Sequence, residues 1–325
     1  MQTKKMKGCI RDATVLHFCN AQLIVDIVIW LTIGSPVLIL YMMGSPYEAG
    51  FFCDDTSLKY PYKPGIISNA LLTGVAFGLT TMTLLMVEVM NRLERKYKKN
   101  RCLSGDPFTC LKGFGIFLFG FVIAQLFTEV LKNAIGRLRP TFFDVCRPDF
   151  SRIDCRQGYI TNYTCTNDEH LPNTLRTIRQ SFPSGHAVFS MFTTVYLVLY
   201  IEKRLHITYS HILKPTIQAA LFLLSLVCAV SRITDHKHHP SDVIAGLIIG
   251  SIVACAIFHS LGTKFLNDPK IEKRSNDDEE EGNWVPNTNG CQTPLPLLLK
   301  EFDISGRSPS FVLKQPIKIS TSVTV

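Results

Sequence analysis

Charge is missing where the sequence is most apolar. Six runs, Ala21 to Met43, Gly65 to Val89, Gly113 to Val130, Ala187 to Ile201, Pro215 to Val230 and Val243 to Leu261, contain no Lys or Arg, and Asp26, Glu88 and Glu129 are their only carboxylates. A transporter or channel would be expected to carry ionisable groups along its path, and these three isolated acids fit that poorly. The chain also lacks a convincing small-residue cleavage site after its first apolar run, so that run reads as a retained helix and not as a signal peptide. No internal repeat is present, which excludes a solenoid or other repeat array. No nucleic-acid motif accompanies the formal net charge of +8, so the basic excess needs another explanation.

What is present is clustered hydrophobicity. Over 325 residues the mean hydropathy is only +0.18 and the hydrophobic fraction an ordinary 46%, yet the apolar residues fall in the six runs. A bilayer span needs ~20 mainly apolar residues. The first two runs and the last meet this, while the fourth and fifth fall short unless Pro183 opens the fourth helix early and Arg232 extends the fifth. A buried core helix is the alternative for that pair. The expected fold is therefore all-α, a polytopic membrane protein with six transmembrane helices.

The basic residues set its orientation. Lys4, Lys5, Lys7 and Arg11 precede the first run, Arg92 to Lys112 follows the second with seven cations, and Lys203, Arg204 and Lys214 follow the fourth. By the positive-inside tendency these segments and both termini are cytosolic, with anionic headgroups as neighbours. Segments 44–64, 132–183 and 231–242 then face outward. The sequon Asn162-Tyr-Thr164 lies in the second of these, where glycosylation would require it. Cys53, Cys146, Cys155 and Cys165 also face outward, and one or two disulfides of unspecified pairing are expected. Cys228 and Cys255 read as packing residues, and Cys9, Cys19, Cys102, Cys110 and Cys291 as cytosolic thiols. After about Asn267 the acidic run Asp277 to Glu281 and scattered prolines read as a solvated, largely disordered tail. Its end, Val323-Thr-Val325, could add a strand to a PDZ-type groove.

Three polar nodes occupy the outward segments. The first is Lys132-Asn-Ala-Ile-Gly-Arg-Leu-Arg-Pro140. If the third helix continues through it, Lys132 and Arg139 are two turns apart on one face, with Arg137 nearby; a basic helix end snorkelling to headgroups is the bland alternative. The second is Ser181-Phe-Pro-Ser-Gly-His186, where Ser184 and Gly185 leave backbone N–H groups open to an anion and His186 stands beside them as a proton donor; a routine helix start reads the same way. The third is Ser231 to Asp242. Pro240 and Ser241 look like a helix start, and a carboxylate at Asp242 bonded to one nitrogen of His238 would leave the other a free nucleophile. Arg232 adds a phosphate-binding fork. A metal site built from Asp235, His236, His238, His239 and Asp242 is the competing explanation, but it would not need the four or five cations gathered in the facing loops.

Together the nodes resemble the lipid phosphate phosphatases, the membrane branch of the type 2 phosphatidic acid phosphatase superfamily. The pattern Lys-x6-Arg-Pro reads Lys132 to Arg139-Pro140. Pro-Ser-Gly-His reads Pro183 to His186, and Ser-Arg-x5-His-x3-Asp reads Ser231-Arg232 to His238 to Asp242. The likeness covers roughly Ala21 to Leu261, including Lys59 to Lys63 in the first outward loop. It implies a six-helix phosphatase domain at 21–264 between a cytosolic N-terminus (1–20) and a cytosolic tail (265–325), with the active site formed by outward loops and helix ends. His238 would be the nucleophile, Asp242 its orienting partner and His186 the acid. Lys132, Arg139, Arg232 and the amides at Ser184 and Gly185 would hold the phosphate. It further implies no metal and no cofactor, and lipid phosphate monoesters as substrates: phosphatidate, lysophosphatidate, sphingosine 1-phosphate and ceramide 1-phosphate. Such a protein is expected in the plasma membrane with an extracellular site, internal membranes being the alternative, and could form homo-oligomers. Where many relatives have histidine, this chain has Thr141, which could alter headgroup preference. A non-catalytic relative acting through lipid or protein binding would lose motif residues, and here none is lost.

Overall fold

The structure, a computed structural model, describes residues 24–97, 109–167, 172–205, 207 and 209–265. The N-terminal basic cluster, the cations at 98–101 and the tail with its Val323-Thr-Val325 end lie outside the described residues. Among the described residues six helices are long and apolar enough to cross a membrane. They are α1 (Ile24–Met43), α2 (Asn69–Tyr97), α3 (Thr109–Ile135), α6 (Gly185–Arg204), α7 (Leu213–Thr234) and α8 (Pro240–Ile257). Two short helices, α4 (Phe142–Cys146) and α5 (Pro172–Thr177), lie in the segment between α3 and α6. After α8 a single π turn, Phe258–Gly262, leads into α9 (Thr263–Phe265).

The fourth apolar run looked short because its helix is the central one. In α6, 67% of the apolar window is buried inside the protein, against 28–33% for α2, α3, α7 and α8 and none for α1. A helix surrounded by other helices can carry hydroxyls and still avoid lipid. Tyr196 donates to the Gly113 carbonyl at 2.6 Å and Tyr200 to Glu88 at 3.3 Å. Glu88 also pairs with Arg204 at 3.1 Å, which accounts for one of the three acids inside the runs. Around these lie Leu84, Val87, Phe117, Phe192 and Leu197, all fully buried. Both marginal helices do gain a polar turn: α7 runs through Arg232 to Thr234, while α6 begins at Gly185, two residues after Pro183.

Gly246 and Gly250 set the distance between α6 and α8. A Cβ on Gly246 would stand 2.7 Å from the Ser184 carbonyl oxygen, and one on Gly250 would stand 2.3 Å from that of Val188. Lipid tails are as apolar as side chains, so helix association in a bilayer depends on close packing, and small residues four apart permit it. This contact brings the start of α8 against the start of α6, where the Ser184 N–H donates to the Asp242 carbonyl at 3.1 Å.

Outside the spans a second, smaller core forms from Phe51, Leu58, Leu138, Phe142, Val145, Ile160 and Ile178. Strands β1 (Phe51–Phe52) and β2 (Tyr159–Ile160) pair antiparallel, Phe51 opposite Ile160. The cysteine pairing left open above is Cys53–Cys155 and Cys146–Cys165. The segment between α1 and α2 is thereby tied to the one between α3 and α6. Arg176 on α5 donates to the carbonyls of Leu40, Tyr41 and Met42, supplying a cation to the C-terminal end of α1. Asn162 is exposed just beyond β2.

Candidate active site

Helix α3 does not continue through the first node. It stops at Ile135, and Gly136 takes φ +63, a left-handed conformation in which a Cβ would clash with the Tyr47 carbonyl. The two-turn relation of Lys132 to Arg139 therefore does not apply. Lys132 sits in the last turn of α3, while Arg139 comes from the irregular segment after it, anchored where its N–H donates to the Ile178 carbonyl at 2.8 Å. Both side chains still reach one place. Lys132 pairs with Glu129 at 3.0 Å, and its Nζ lies 3.7 Å from where a Cβ on Gly185 would be. Arg139 makes one long contact, 3.5 Å to the Gln180 carbonyl, and its Nε is buried without a partner.

The start of α6 supplies Ser184 as N-cap, with no side-chain cap bond and a buried Oγ without a partner. The amide expected at Ser184 is already used, by the Asp242 carbonyl. Gly185 and His186, in the first turn, have no intrahelical acceptor for their N–H groups. His186 Nε2 lies 3.0 Å from the Ile67 carbonyl, which also accepts from Arg232 Nη1 at 3.0 Å. Arg232 is held in place by Asp235 at 2.9 Å.

Asp242 does not touch His238 directly. Its buried carboxylate takes Arg137, the Ser181 hydroxyl at 2.6 Å and the His239 N–H at 3.0 Å. His238 Nδ1 instead lies 2.6 Å from the Ser181 carbonyl. A carbonyl can only accept, so Nδ1 carries the proton and Nε2 the lone pair. The chemical outcome expected of Asp242 is reached through one intermediate residue, Ser181. Burial, aided by the positive field of Arg139 and Lys132, holds His238 well below the ordinary imidazole pKa despite the Ser181 carbonyl and Asp242. It is thus a neutral imidazole at pH 7. Arg139 is also pushed down, to about 10, mainly by burial; it stays charged at pH 7.

The remaining residues of the third node turn elsewhere. His236, at φ +55, packs against Tyr60 with ring centroids 4.6 Å apart and the planes tilted by 42°, and the Lys237 ammonium lies 3.8 Å over the Tyr62 ring. Asp235 accepts from the Ile66 N–H at 3.0 Å. The segment between α1 and α2 is thus strapped across the site by Asp235 and His236, two of the residues a metal reading would have grouped as ligands, and by Lys237. Among the described residues no three His, Cys, Asp or Glu side chains converge as a metal-ligating cluster.

Comparison with known proteins decides the family. The description "PAP2 superfamily" matches residues 113–266, and the chain is similar to phospholipid phosphatase 1 of Rattus norvegicus, 37% identical over 235 residues that make up 72% of this chain and 82% of the relative. The chain belongs to the PAP2 superfamily. It is similar also to phospholipid phosphatase 2 of Mus musculus, 34% identical over 76% of this chain and 88% of that one. A putative phosphatidate phosphatase of Drosophila melanogaster is 37% identical over 74% of this chain and 68% of that protein.

Several parts of this PAP2 site were not visible in the motifs. Ser181 stood in the second node without a role, although it bridges Asp242 and His238. Arg137 stood in the first node only as a nearby cation, yet it pairs with Asp242 and donates to Ser241. The Gly246–Gly250 spacing was readable as a close-packing signal. The Ile67 carbonyl had no signal, because a main-chain acceptor leaves no trace in residue type.

Proposed function

We propose that this chain hydrolyses lipid phosphate monoesters through a phosphohistidine on His238. The observation that carries the reading is a buried, neutral His238 whose Nδ1 is committed to Ser181, in the positive field of Arg139 and Lys132. Its Nε2 lone pair would attack phosphorus as the bond to the lipid oxygen breaks. Lys132, Arg139, Arg232 and the amides of Gly185 and His186 would stabilise the equatorial oxygens, the dominant requirement in phosphoryl transfer. The unpartnered Arg139 Nε and Ser184 Oγ support this, since buried polar atoms are ordinarily satisfied and an arriving phosphate would satisfy them.

His186 would serve as acid. Its Nε2–H meets the Ile67 carbonyl, and a phosphate dianion brought among these cations would favour the imidazolium. That imidazolium would protonate the departing alkoxide, giving the lipid alcohol. The neutral His186 would then take a proton from water as the water oxygen attacks the phosphohistidine, releasing inorganic phosphate and restoring His238. Phosphatidate, lysophosphatidate, sphingosine 1-phosphate and ceramide 1-phosphate are the proposed substrates. The proposed orientation places the site on the extracellular face of the plasma membrane, supported by the charge bias of the loops and the sequon at Asn162.

The test is phosphate release from lysophosphatidate by purified protein in detergent with a chelator present. Wild type should turn over and His238→Ala should not, with an unchanged melting profile. Full activity in the variant would refute the assignment, and loss of wild-type activity on chelation would refute the mechanism.

A further inference from the structure

Below the site a cavity of about 160 Å³ opens between α2, α6 and α7. Ile67 connects the two: its carbonyl holds His186 and Arg232, and the residue also lines the cavity. Leu71 and Val75 continue the same wall down α2 at helical spacing, with Leu224 of α7 facing them across the cavity. A largely apolar cavity of roughly 150 Å³ accommodates a benzene ring, so this one suits a short segment of hydrocarbon chain.

One polar atom in its wall stands apart. The hydroxyls of Thr80, Thr81 and Thr128 each donate to the carbonyl four residues earlier, and that of Thr194 to the Leu221 carbonyl. Thr193 Oγ1, in the cavity wall, is buried with no partner. Such a group has no bond to lose on turning to a new acceptor. Thr193 lies seven residues from His186, hence on the same face of α6 and about 10 Å deeper. In an acylglycerol phosphate the first ester carbonyl follows the leaving oxygen by a few bonds, near the depth that the Thr193 side chain, leaning back toward the start of its helix, would reach.

We propose that this cavity seats the first part of one acyl chain of the substrate and that Thr193 donates to its ester carbonyl, making Thr193 a specificity-determining residue for acylglycerol phosphates. This rests on the lipid phosphatase reading above. Tail burial alone would discriminate little, because bilayer and cavity are similarly apolar. The hydrogen bond is what separates substrates.

The experiment compares kcat/KM for 1-acyl lysophosphatidate, its 1-alkyl ether analogue of equal length, which lacks the carbonyl, and water-soluble glycerol 3-phosphate. Wild type should prefer the ester over the ether by about five-fold, the size of one hydrogen bond in a membrane setting. Thr193→Val should erase that preference and Thr193→Ser keep it, both leaving glycerol 3-phosphate turnover unchanged. Leu224→Trp, at a half-exposed position on the cavity rim, should slow both lipids several-fold and spare glycerol 3-phosphate. A preference that survives Thr193→Val, or a Leu224→Trp effect equal on lipid and soluble substrate, overturns the proposal. A wild type inactive on all three substrates instead refutes the phosphatase reading and this inference with it.

Discussion

Adding one methyl group at Gly250 should disable the site from a distance. The new Cβ would stand 2.3 Å from the Val188 oxygen and 3.0 Å from the Phe192 nitrogen, whereas ordinary contact begins near 3.4 Å. Both obstacles are main chain in the middle of α6, so neither can rotate away. Helices α6 and α8 must part by about 1 Å, and overpacking of this kind costs about 1–3 kcal/mol, here toward the upper end. The strain falls on the same contact that joins Ser184 N–H to the Asp242 carbonyl at 3.1 Å, and hence on the placement of His238 against His186 and the cations. Misplacing reacting groups by 1 Å can cost about 100-fold in rate. Gly250→Ala should therefore lose about 100-fold in kcat/KM for lysophosphatidate and lower the melting temperature in detergent. Gly78→Ala is the matched control: nothing lies within 4 Å of its would-be Cβ, and alanine is the better helix former by about 1 kcal/mol. It should leave activity unchanged and raise stability slightly. If Gly250→Ala keeps activity within about three-fold of wild type, the close approach of α6 and α8 is not what positions the site.

Further outcomes follow from the site itself. The kcat/KM profile, corrected for the second ionisation of the substrate phosphate, should show no acidic limb at pH 6.5 from His238, since its pKa in the free protein lies well below that value, and activity should be lost by about pH 10 as Arg139 loses its proton; such a limb surviving the correction would contradict a buried neutral nucleophile. The same depression makes the unfolded chain bind more protons than the folded one below about pH 6.5, so stability, read as melting temperature, should drop as pH falls there. Ser181→Ala removes a buried hydroxyl donor to a carboxylate but keeps the carbonyl that holds His238, so it should lower melting temperature by the equivalent of about 1.5–3 kcal/mol. It should reduce kcat more than it raises KM; an unchanged kcat would remove Ser181 from the positioning chain. Asn162→Gln should abolish a glycosidase-sensitive mobility shift if the second outward segment is lumenal or extracellular, and a wild type without such a shift would count against that orientation.

Much of this architecture could be read from residue order alone, for a physical reason. Apolar runs report helices directly, because a bilayer demands internally satisfied backbone over a fixed thickness. The first two runs and the last, at the rim of the bundle, were plain, while the fifth, also at the rim, fell short because its helix goes on through Arg232 to Thr234. The fourth, which became α6, was doubtful because a central helix answers to its neighbours and not to lipid, and so tolerates Thr193, Thr194, Tyr196 and Tyr200. The site was legible as three motifs but not as a geometry. Gly136 was part of the quoted first node, and its left-handed turn breaks the helix assumed to align Lys132 with Arg139. The link from Asp242 to His238 runs through a serine whose carbonyl and hydroxyl face opposite partners, a division of labour that residue identity cannot express. Main-chain acceptors such as Ile67 belong to the same class.

The most direct measurement is capture of the intermediate. Purified protein is mixed with phosphorus-labelled lysophosphatidate, quenched in alkali, where phosphohistidine survives, and the labelled peptide is mapped. Transient label is expected on His238 in wild type and none in His238→Ala; in His186→Ala, which lacks both the acid of formation and the base of hydrolysis, label on His238 should appear and decay more slowly. Turnover without any phosphohistidine, or label on a different residue, would contradict His238 as the nucleophile.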